Sequence, residues 1–364
     1  MIDDTPQAAA PSMSAAPAAS VESTGTPYRY RTAAQISTYP LDFPHMAHLL
    51  AHQIRVWSPM VERIVVTIDT FRSRSGRYRG EDYDKNLHAL RELALGLAKV
   101  HPEVEVVEVD YSPQARREVA RALFGSDDMP VKAWDGGPFY AYFYGLHHAQ
   151  ARYIAHFDGD MLFGGASPTW MNEAIACMEA DPDVLMTSPF PGPPRADHAI
   201  LGHDDPLLRR VPDLAYPAYR FESASTRIFM IDMARLRDRV GPLPLERPKA
   251  SSRIKAKLLG NPPDVIEAEQ LLGIVLRRHG LHRIDMLGTG NGLWSLHPPY
   301  RGPRFYAQLA QLVEAVESNR IPDAQRGHYD VHDSLIDWSS ERLRTRRHKR
   351  LLRLLKDRLL VGAR

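Results

Sequence analysis

Two apolar runs in the first half of the chain, RIVVTIDT (63–70) and RYIAHFDGD (152–160), and an alternating one between them, VEVVEVDYS (104–112), carry carboxylates at or near their ends. A shorter apolar stretch from Ala33 precedes them. Between these runs the spacing turns helical: Met46, Leu50, Ile54 and Trp57 share one face, as do Leu87, Leu90, Leu93, Ala94 and Leu97, and a third helix is predicted over about 138–150. Strand and helix that alternate in this way close into a parallel α/β sheet covered by helices on its faces. Such sheets bind ligands beyond the carboxyl ends of their strands. Asp69, Asp110, Asp158 and Asp160 all fall at such ends.

The second half is less regular. VLMTSPF (184–190), STRIFMIDM (225–233) and HRIDMLG (282–288) read as strands, Pro262 opens a helix that runs to His279, and the Pro-rich stretch 189–217 reads as an ordered loop. At 364 residues, 44% apolar and 25% charged, the chain has the composition of a soluble globular protein, which excludes collagen-like and wholly disordered classes. A single cysteine, Cys177, excludes an intrachain disulfide and a cysteine-based zinc site and points to a reducing compartment, the cytoplasm. Residues 1–27, rich in Ala, Pro, Ser and Thr without hydrophobic period, read as a disordered leader with no signal-peptide core.

His156-Phe157-Asp158-Gly159-Asp160-Met161 carries the most chemistry. Two carboxylates flanking a glycine can approach one hard cation, and Mg²⁺ or Mn²⁺ suits them because it takes oxygen ligands and completes its shell with substrate phosphates. The run from Gly145-Leu146 through Tyr153-Ile154 to Asp158-Gly159-Asp160 resembles the segment before the Asp-X-Asp motif of family 2 glycosyltransferases of GT-A fold. A weaker resemblance extends over about residues 34–300, and it departs at Phe143, where many relatives carry Asn. It implies a Rossmann-like, mostly parallel sheet flanked by helices. It also implies a nucleotide-diphosphate sugar donor, UDP- or GDP-linked. Asp160 would then ligate the metal, Asp158 would touch the ribose or the metal shell, and Asp69 with the backbone near Thr38 and Tyr39 would hold the base. The cation would stabilise the charge that grows on the departing diphosphate.

Transfer with inversion also needs a carboxylate to take the acceptor's proton. Glu269 aligns with the second acidic position of the family's Glu-Asp motif, whose first position is Ala268 here. Asp264 and Glu267 instead form the D-x-x-E pattern of a capping box. His297, after the turn Gly288-Thr289-Gly290-Asn291-Gly292, is a candidate third metal ligand, and the turn reads as a mobile loop over the donor. Phe139, Tyr140, Tyr142, Phe143 and Tyr144 suit core packing better than base stacking, Arg72, Arg74, Arg77 and Arg79 a solvated loop, and Trp134-Asp135-Gly136-Gly137 the cap of the following helix. Two rival readings remain: a degenerate GT-A domain that only binds a nucleotide or glycan, and a phosphatase of haloacid dehalogenase type. In the latter the Asp-X-Asp opens the fold and a Thr follows, whereas Met161-Leu162-Phe163 follows here.

Charge is distributed unevenly. Residues 341–364 hold ten basic and two acidic groups, a net +8, while the preceding 340 residues carry −6. Leu351, Leu354, Leu355 and Leu359 share a helical face, which makes the tail a basic amphipathic helix of the type that lies on anionic membranes. It lacks the aromatic residues that single-stranded nucleic acid recognition uses, so no nucleic acid partner is expected. The expected organisation is a leader (1–27), a nucleotide-sugar half (28–165), an acceptor half (166–305) and a helical extension (306–364). The expected acceptor is a glycan or a lipid-linked hydroxyl, reached from the cytoplasm at the inner face of the membrane.

Overall fold

The computed structural model describes residues 28–72, 82–202, 209–212 and 214–345. The leader, Arg74, Arg77, Arg79 and the tail from 346 onward lie outside the described residues. In chain order the strands are β1 (Tyr30–Thr38), β2 (Arg63–Ile68), β3 (Val104–Glu108), β4 (Ala151–Asp158), β5 (Leu162–Gly164), β6 (Val184–Pro191), β7 (Arg209–Arg210), β8 (Ala218–Phe221), β9 (Ile228–Asp232), β10 (His282–Met286) and β11 (Trp294–Leu296). The helices are α1 (Phe43–Trp57), α2 (Tyr83–Ala98), α3 (Pro113–Phe124), α4 (Tyr140–Ala149), α5 (Trp170–Ala180), the single turn α6 (Met233–Arg235), α7 (Ala250–Leu259), α8 (Ala268–Arg278), α9 (Pro303–Glu317) and α10 (Ser339–Thr345).

The fold is α/β. Its main sheet runs β3-β2-β1-β4-β9-β6-β10-β8-β7, with β11 pairing β6 and β5 to one side. The block β3-β2-β1-β4 is parallel, as the alternating pattern requires, and β9 enters antiparallel between β4 and β6. After β1 the chain moves outward through β2 and β3, then returns to place β4 on the opposite side of β1. That reversal is a topological switch point, where a crevice opens beyond the strand ends.

Strands buried on both faces explain the near-continuous apolar runs. Ala33, Val65 and Ile154 face a core built with α3, α4 and α8, while Ala34, Ile64, Val66 and Phe157 face one built with α1, α2 and α5. Trp57 anchors the second core, with ring centroids 5.2 Å from Phe157 and 5.9 Å from Trp170. A third cluster joins α9 to β5 and β11 through Leu162, Trp294, Phe305 and Trp338. Gly145 is required by a close approach: a Cβ there would sit 2.7 Å from the buried Gln35 side chain of β1, so α4 lies directly on the sheet.

The structure departs from the sequence reading in local ways. Helix α3 was not anticipated, although Ser112 caps it by accepting from the Ala115 N–H, Pro113 opens it and Gly125 ends it at φ 59°. Helix α8 begins at Ala268 rather than Pro262, because residues 265–266 are extended and engaged elsewhere: the Trp134 N–H donates to the Val265 carbonyl and the Ile266 N–H to that of Glu246. Asp264 therefore caps nothing. In the glycine turn at 288–292 the Thr289 N–H and hydroxyl both donate to Glu173, at 2.7 and 2.5 Å.

A polar relay ties α9 to α1 and on to β5. His52 accepts the Phe163 N–H at Nε2 (3.0 Å), which places its proton on Nδ1, and Nδ1 donates to Glu317 at 2.8 Å. His52 and Arg55 together hold the Glu317 carboxyl down to about 2. A depressed folded-state value means that this contribution is complete above the ordinary carboxylate range and is lost as pH falls through about 2. In urea titrations Glu317→Gln should therefore be less stable than the parent by about 1 kcal/mol at pH 6. The difference should close between about pH 4 and pH 2, and a constant difference would refute the relay.

Candidate functional site

A cleft of about 250 Å³ opens beyond the carboxyl ends of β1, β2 and β4. Of the residues singled out in the sequence, Thr38, Tyr39, Asp69, Asp158, Asp160 and Glu269 all line it. They come from four separate segments of chain, brought together by strand order. His297 does not line the cleft, but its Nε2 lies 3.7 Å from Asp160 Oδ2.

The register of the sheet sets the floor. Ser37 of β1 lies opposite Asp158 of β4, and the Gly159 N–H donates to the Ser37 carbonyl at 3.0 Å. Gly159 is needed here for space rather than for a left-handed backbone. Its φ is not positive, but a Cβ would lie 2.3 Å from Met46 Sδ. Beneath the turn, the buried amide of Gln53 donates to the carbonyls of Gly159 (3.1 Å) and Met161 (2.9 Å), with that of Asp158 more distant at 3.4 Å. One side chain on α1 thus satisfies the backbone of the whole Asp-Gly-Asp turn.

Asp160 is 1% exposed, and neither of its carboxylate oxygens accepts a hydrogen bond. It is ion-paired with Arg301, a residue the sequence reading did not single out. Asp158 reaches the cleft but is densely ringed by protein; this desolvation raises its carboxyl to about 7, against the opposing pull of Arg301 and Arg227. His297 donates from Nδ1 to Asp330 (2.9 Å), contacts Arg227 at Nε2, and is held below the usual imidazole value chiefly by burial. A neutral imidazole oriented by a carboxylate is the form that ligates metals. Among the described residues no three His, Cys, Asp or Glu side chains form a ready metal-holding cluster.

The other end of the cleft is built around Asp69. It is buried and accepts from Lys132 Nζ (2.8 Å), Tyr111 Oη (2.5 Å) and the Phe71 N–H (2.9 Å). A carboxylate offers about four acceptor positions, so one remains for a ligand. It does not cap α2, whose N-cap is Asp82. Lys132 lies 5.9 Å from the Tyr39 ring and 5.3 Å from that of Phe71, so its ammonium and these rings share one wall. Thr38 is turned inward, its hydroxyl donating to the Thr67 carbonyl at 2.8 Å.

Glu269 lies in the first turn of α8, exposed to the cleft, and accepts the Thr226 N–H through Oε2 at 3.2 Å. Its other oxygen is open to a ligand hydroxyl. Glu267 also lines the cleft, at the N-cap position, but makes no side-chain cap bond and leaves Oε2 buried without a hydrogen-bond donor. Of the aromatic cluster only Tyr142 reaches the cleft; Phe139, Tyr140, Phe143 and Tyr144 pack into the core, where Phe143 meets Phe124 edge-on at 4.8 Å. Asp135 does not cap α4, whose N-cap is Phe139; it closes its own turn by accepting from Gly137 at 2.8 Å and forms part of the cleft rim. Arg72 pairs with Asp84 on the surface.

No protein-family model matches the sequence, and no curated protein is similar to it. Among solved structures the chain is similar to the mannosyltransferase PcManGT from Pyrobaculum calidifontis in complex with GDP-Man and Mn²⁺, at 15% identity over 69% of this chain and 62% of that one, with a TM-score of 0.32. It is also similar to S. aureus TarS 1–349 in complex with UDP-GlcNAc, at 10% identity over 78% and 65% of the two chains, TM-score 0.37. A further match is glucosyl-3-phosphoglycerate synthase from Mycobacterium tuberculosis with Mn²⁺, UDP and glucosyl-3-phosphoglycerate, at 15% identity over 44% of each chain, TM-score 0.25. In each case the chain spans less than two thirds of the solved chain's length.

Replacing Gln53 by Met keeps the volume but strands three backbone carbonyls at the cleft floor. The variant should lose about 2–3 kcal/mol of stability. Amides of 159–163 should exchange faster with deuterium than the rest of the sheet, and uniform loosening of the whole sheet would count against a local clamp.

Proposed function

We propose that the chain is a metal-dependent glycosyltransferase of GT-A type that moves a sugar from a nucleotide diphosphate to an acceptor hydroxyl with inversion. The observation that carries this reading is the convergence of Asp69, Asp158, Asp160 and Glu269 in one cleft at the switch point of a parallel sheet. UDP- or GDP-sugars are the donor class, and a glycan or lipid-linked alcohol is the acceptor class. The basic segment 341–364 suits a protein working at the inner face of a membrane, and no helix among the described residues is long and apolar enough to cross one.

Mn²⁺ or Mg²⁺ fits the residues present: Asp160 is a buried carboxylate that needs a positive partner, and its present one, Arg301, is 41% exposed and can give way to an ion. Asp158, Asp160 and His297 would hold the ion, which when bound supplies positive charge to the leaving diphosphate. Asp69, Lys132 and Tyr39 would bind the base end of the donor, with Thr38 keeping the β1 end in register. Glu269, held by the Thr226 N–H, takes the proton from the acceptor hydroxyl as its oxygen bonds to the anomeric carbon. The bond from that carbon to the diphosphate oxygen breaks, and the nucleoside diphosphate leaves with the electron pair. Arg301, already paired with Asp160, adds positive charge near the phosphates.

The pairing of Arg301 with Asp160 also favours one rival, a domain that binds nucleotides but does not transfer sugar, because the guanidinium stands where a cation would. Two substitutions separate the readings. Asp160→Asn should leave the fold intact and abolish Mn²⁺-dependent stabilisation by UDP or GDP in thermal shift experiments. Glu269→Gln should keep that stabilisation and lower sugar transfer by about 10²–10⁴-fold. Nucleotide stabilisation without turnover of any nucleotide sugar by the parent would favour the binding domain. Unchanged transfer by Glu269→Gln would remove its role as base.

A further inference from the structure

Helix α7 is turned almost wholly outward. Of its ten residues only Ala256 is buried, while Ile254 and Leu258 are 62% and 60% exposed. A step of about 100° per residue sets Ile254 on the side opposite Ala256, with Leu258 one turn further along the same ridge. Arg253 and Lys257 fall on one flank of that ridge and Lys255 on the other. Lys249 and Arg247 lie just before the helix. The segment 247–259 thus carries five cations and no carboxylate, and none of the five has an ion-pair partner among the described residues. The nearest carboxylate in sequence, Glu246, is paired with Arg278.

We infer that α7 docks this protein on an anionic lipid bilayer, with Ile254 and Leu258 inserted among the acyl chains near the headgroups and the flanking Lys and Arg side chains on the lipid phosphates. An apolar ridge between basic flanks is the pattern of helices that lie in the membrane interface. A nucleic acid backbone would satisfy the cations but offer nothing to the two aliphatic side chains, and the helix itself bears no aromatic residue on which a base could stack. The docking rests on α7 alone, independently of the transfer chemistry and of the basic tail.

Location gives the docking a consequence. Lys255 Nζ lies 5.4 Å from the Trp134 ring, and the turn from Trp134 continues into Asp135, Gly136 and Gly137 on the cleft rim. Trp134 is also bonded through its N–H to Val265, just before Glu267 and Glu269. A bilayer under α7 would therefore lie beside the cleft edge that carries the proposed base, on the side from which a membrane-borne acceptor would arrive.

The test uses the full chain. Cys177 is the single cysteine and is buried, so Ile254→Cys can be labelled selectively with an environment-sensitive fluorophore, and Val100→Cys, 70% exposed elsewhere, serves as control. With vesicles of phosphatidylglycerol and phosphatidylcholine the label at 254 should shift to the blue, the label at 100 should not, and the shift should vanish in pure phosphatidylcholine or at high salt. Replacing Arg253 and Lys257 by Gln should weaken vesicle binding about fivefold for each cation removed. Binding without a shift at 254 would mean that another segment holds the membrane and would overturn the proposal. A shift that is equal on neutral vesicles, or that appears with RNA or an acidic protein but not with vesicles, would overturn it as well.

Discussion

The parallel pairing of β1 with β4 is the constraint from which the site follows. With Ser37 opposite Asp158, the chain leaving β4 must turn at the point where β1 also ends, and the Gly159 N–H completes the ladder on the Ser37 carbonyl. A slip of one residue would turn the faces of β4 over relative to β1 and take Asp158 out of step with the end of β1. Gln53 and His52 hold the turn from below, through the carbonyls of 159 and 161 and the amide of Phe163. Because both residues sit on α1, the helix that packs Trp57 on Phe157 also fixes the floor of the cleft, so packing and positioning are one device.

Burial of so many carboxylates in one crevice is costly unless each is compensated. Asp69 meets this cost with Lys132, Tyr111 and a backbone amide, all within hydrogen-bond reach. Asp160 is paired with Arg301, and desolvation raises the Asp158 carboxyl to about 7 against the pull of Arg301 and Arg227. The two ends of the cleft therefore differ in kind. The Asp69 end is already satisfied and suits shape and hydrogen-bond recognition. The Asp160 end is short of positive charge and suits a ligand that brings its own.

How much could be read beforehand varied with the distance over which each signal acts. The main strands were legible because residues such as Val65, Val66, Ile154 and Phe157 are buried on both faces and leave unbroken apolar runs. Strand ends are local too, so Asp69, Asp158 and Asp160 could be named from position alone. Lys132 and Arg301 could not: they reach the cleft from loops whose place depends on sheet order, and no periodicity marks them. The start of α8 was misplaced because Val265 and Ile266 look like the first apolar turn of a helix, whereas their backbones bond to the segments at 134 and 246. Ser112-Pro113 and Gly125 did mark α3 locally, and that signal was overlooked. The thirteen residues between Val240 and Ile254 include Gly241, three prolines and a lysine of no clear period, which hid α7 behind loop-like composition.

The asymmetry of the Arg301 pair bears on how the cleft would admit a ligand. Arg301 is 41% exposed, so its guanidinium can turn into water at small solvation cost, whereas Asp160, at 1%, cannot follow it. Separation of the pair thus leaves the penalty entirely on the carboxylate. A cation that replaces the guanidinium removes that penalty, and the released arginine is then available to an anion entering beside it. An incoming cation and phosphate would each gain from the other's arrival, because one takes the partner that the other leaves. On the proposed reading, the charge balance of the cleft would therefore favour joint binding of a cation and an anionic ligand over binding of either alone.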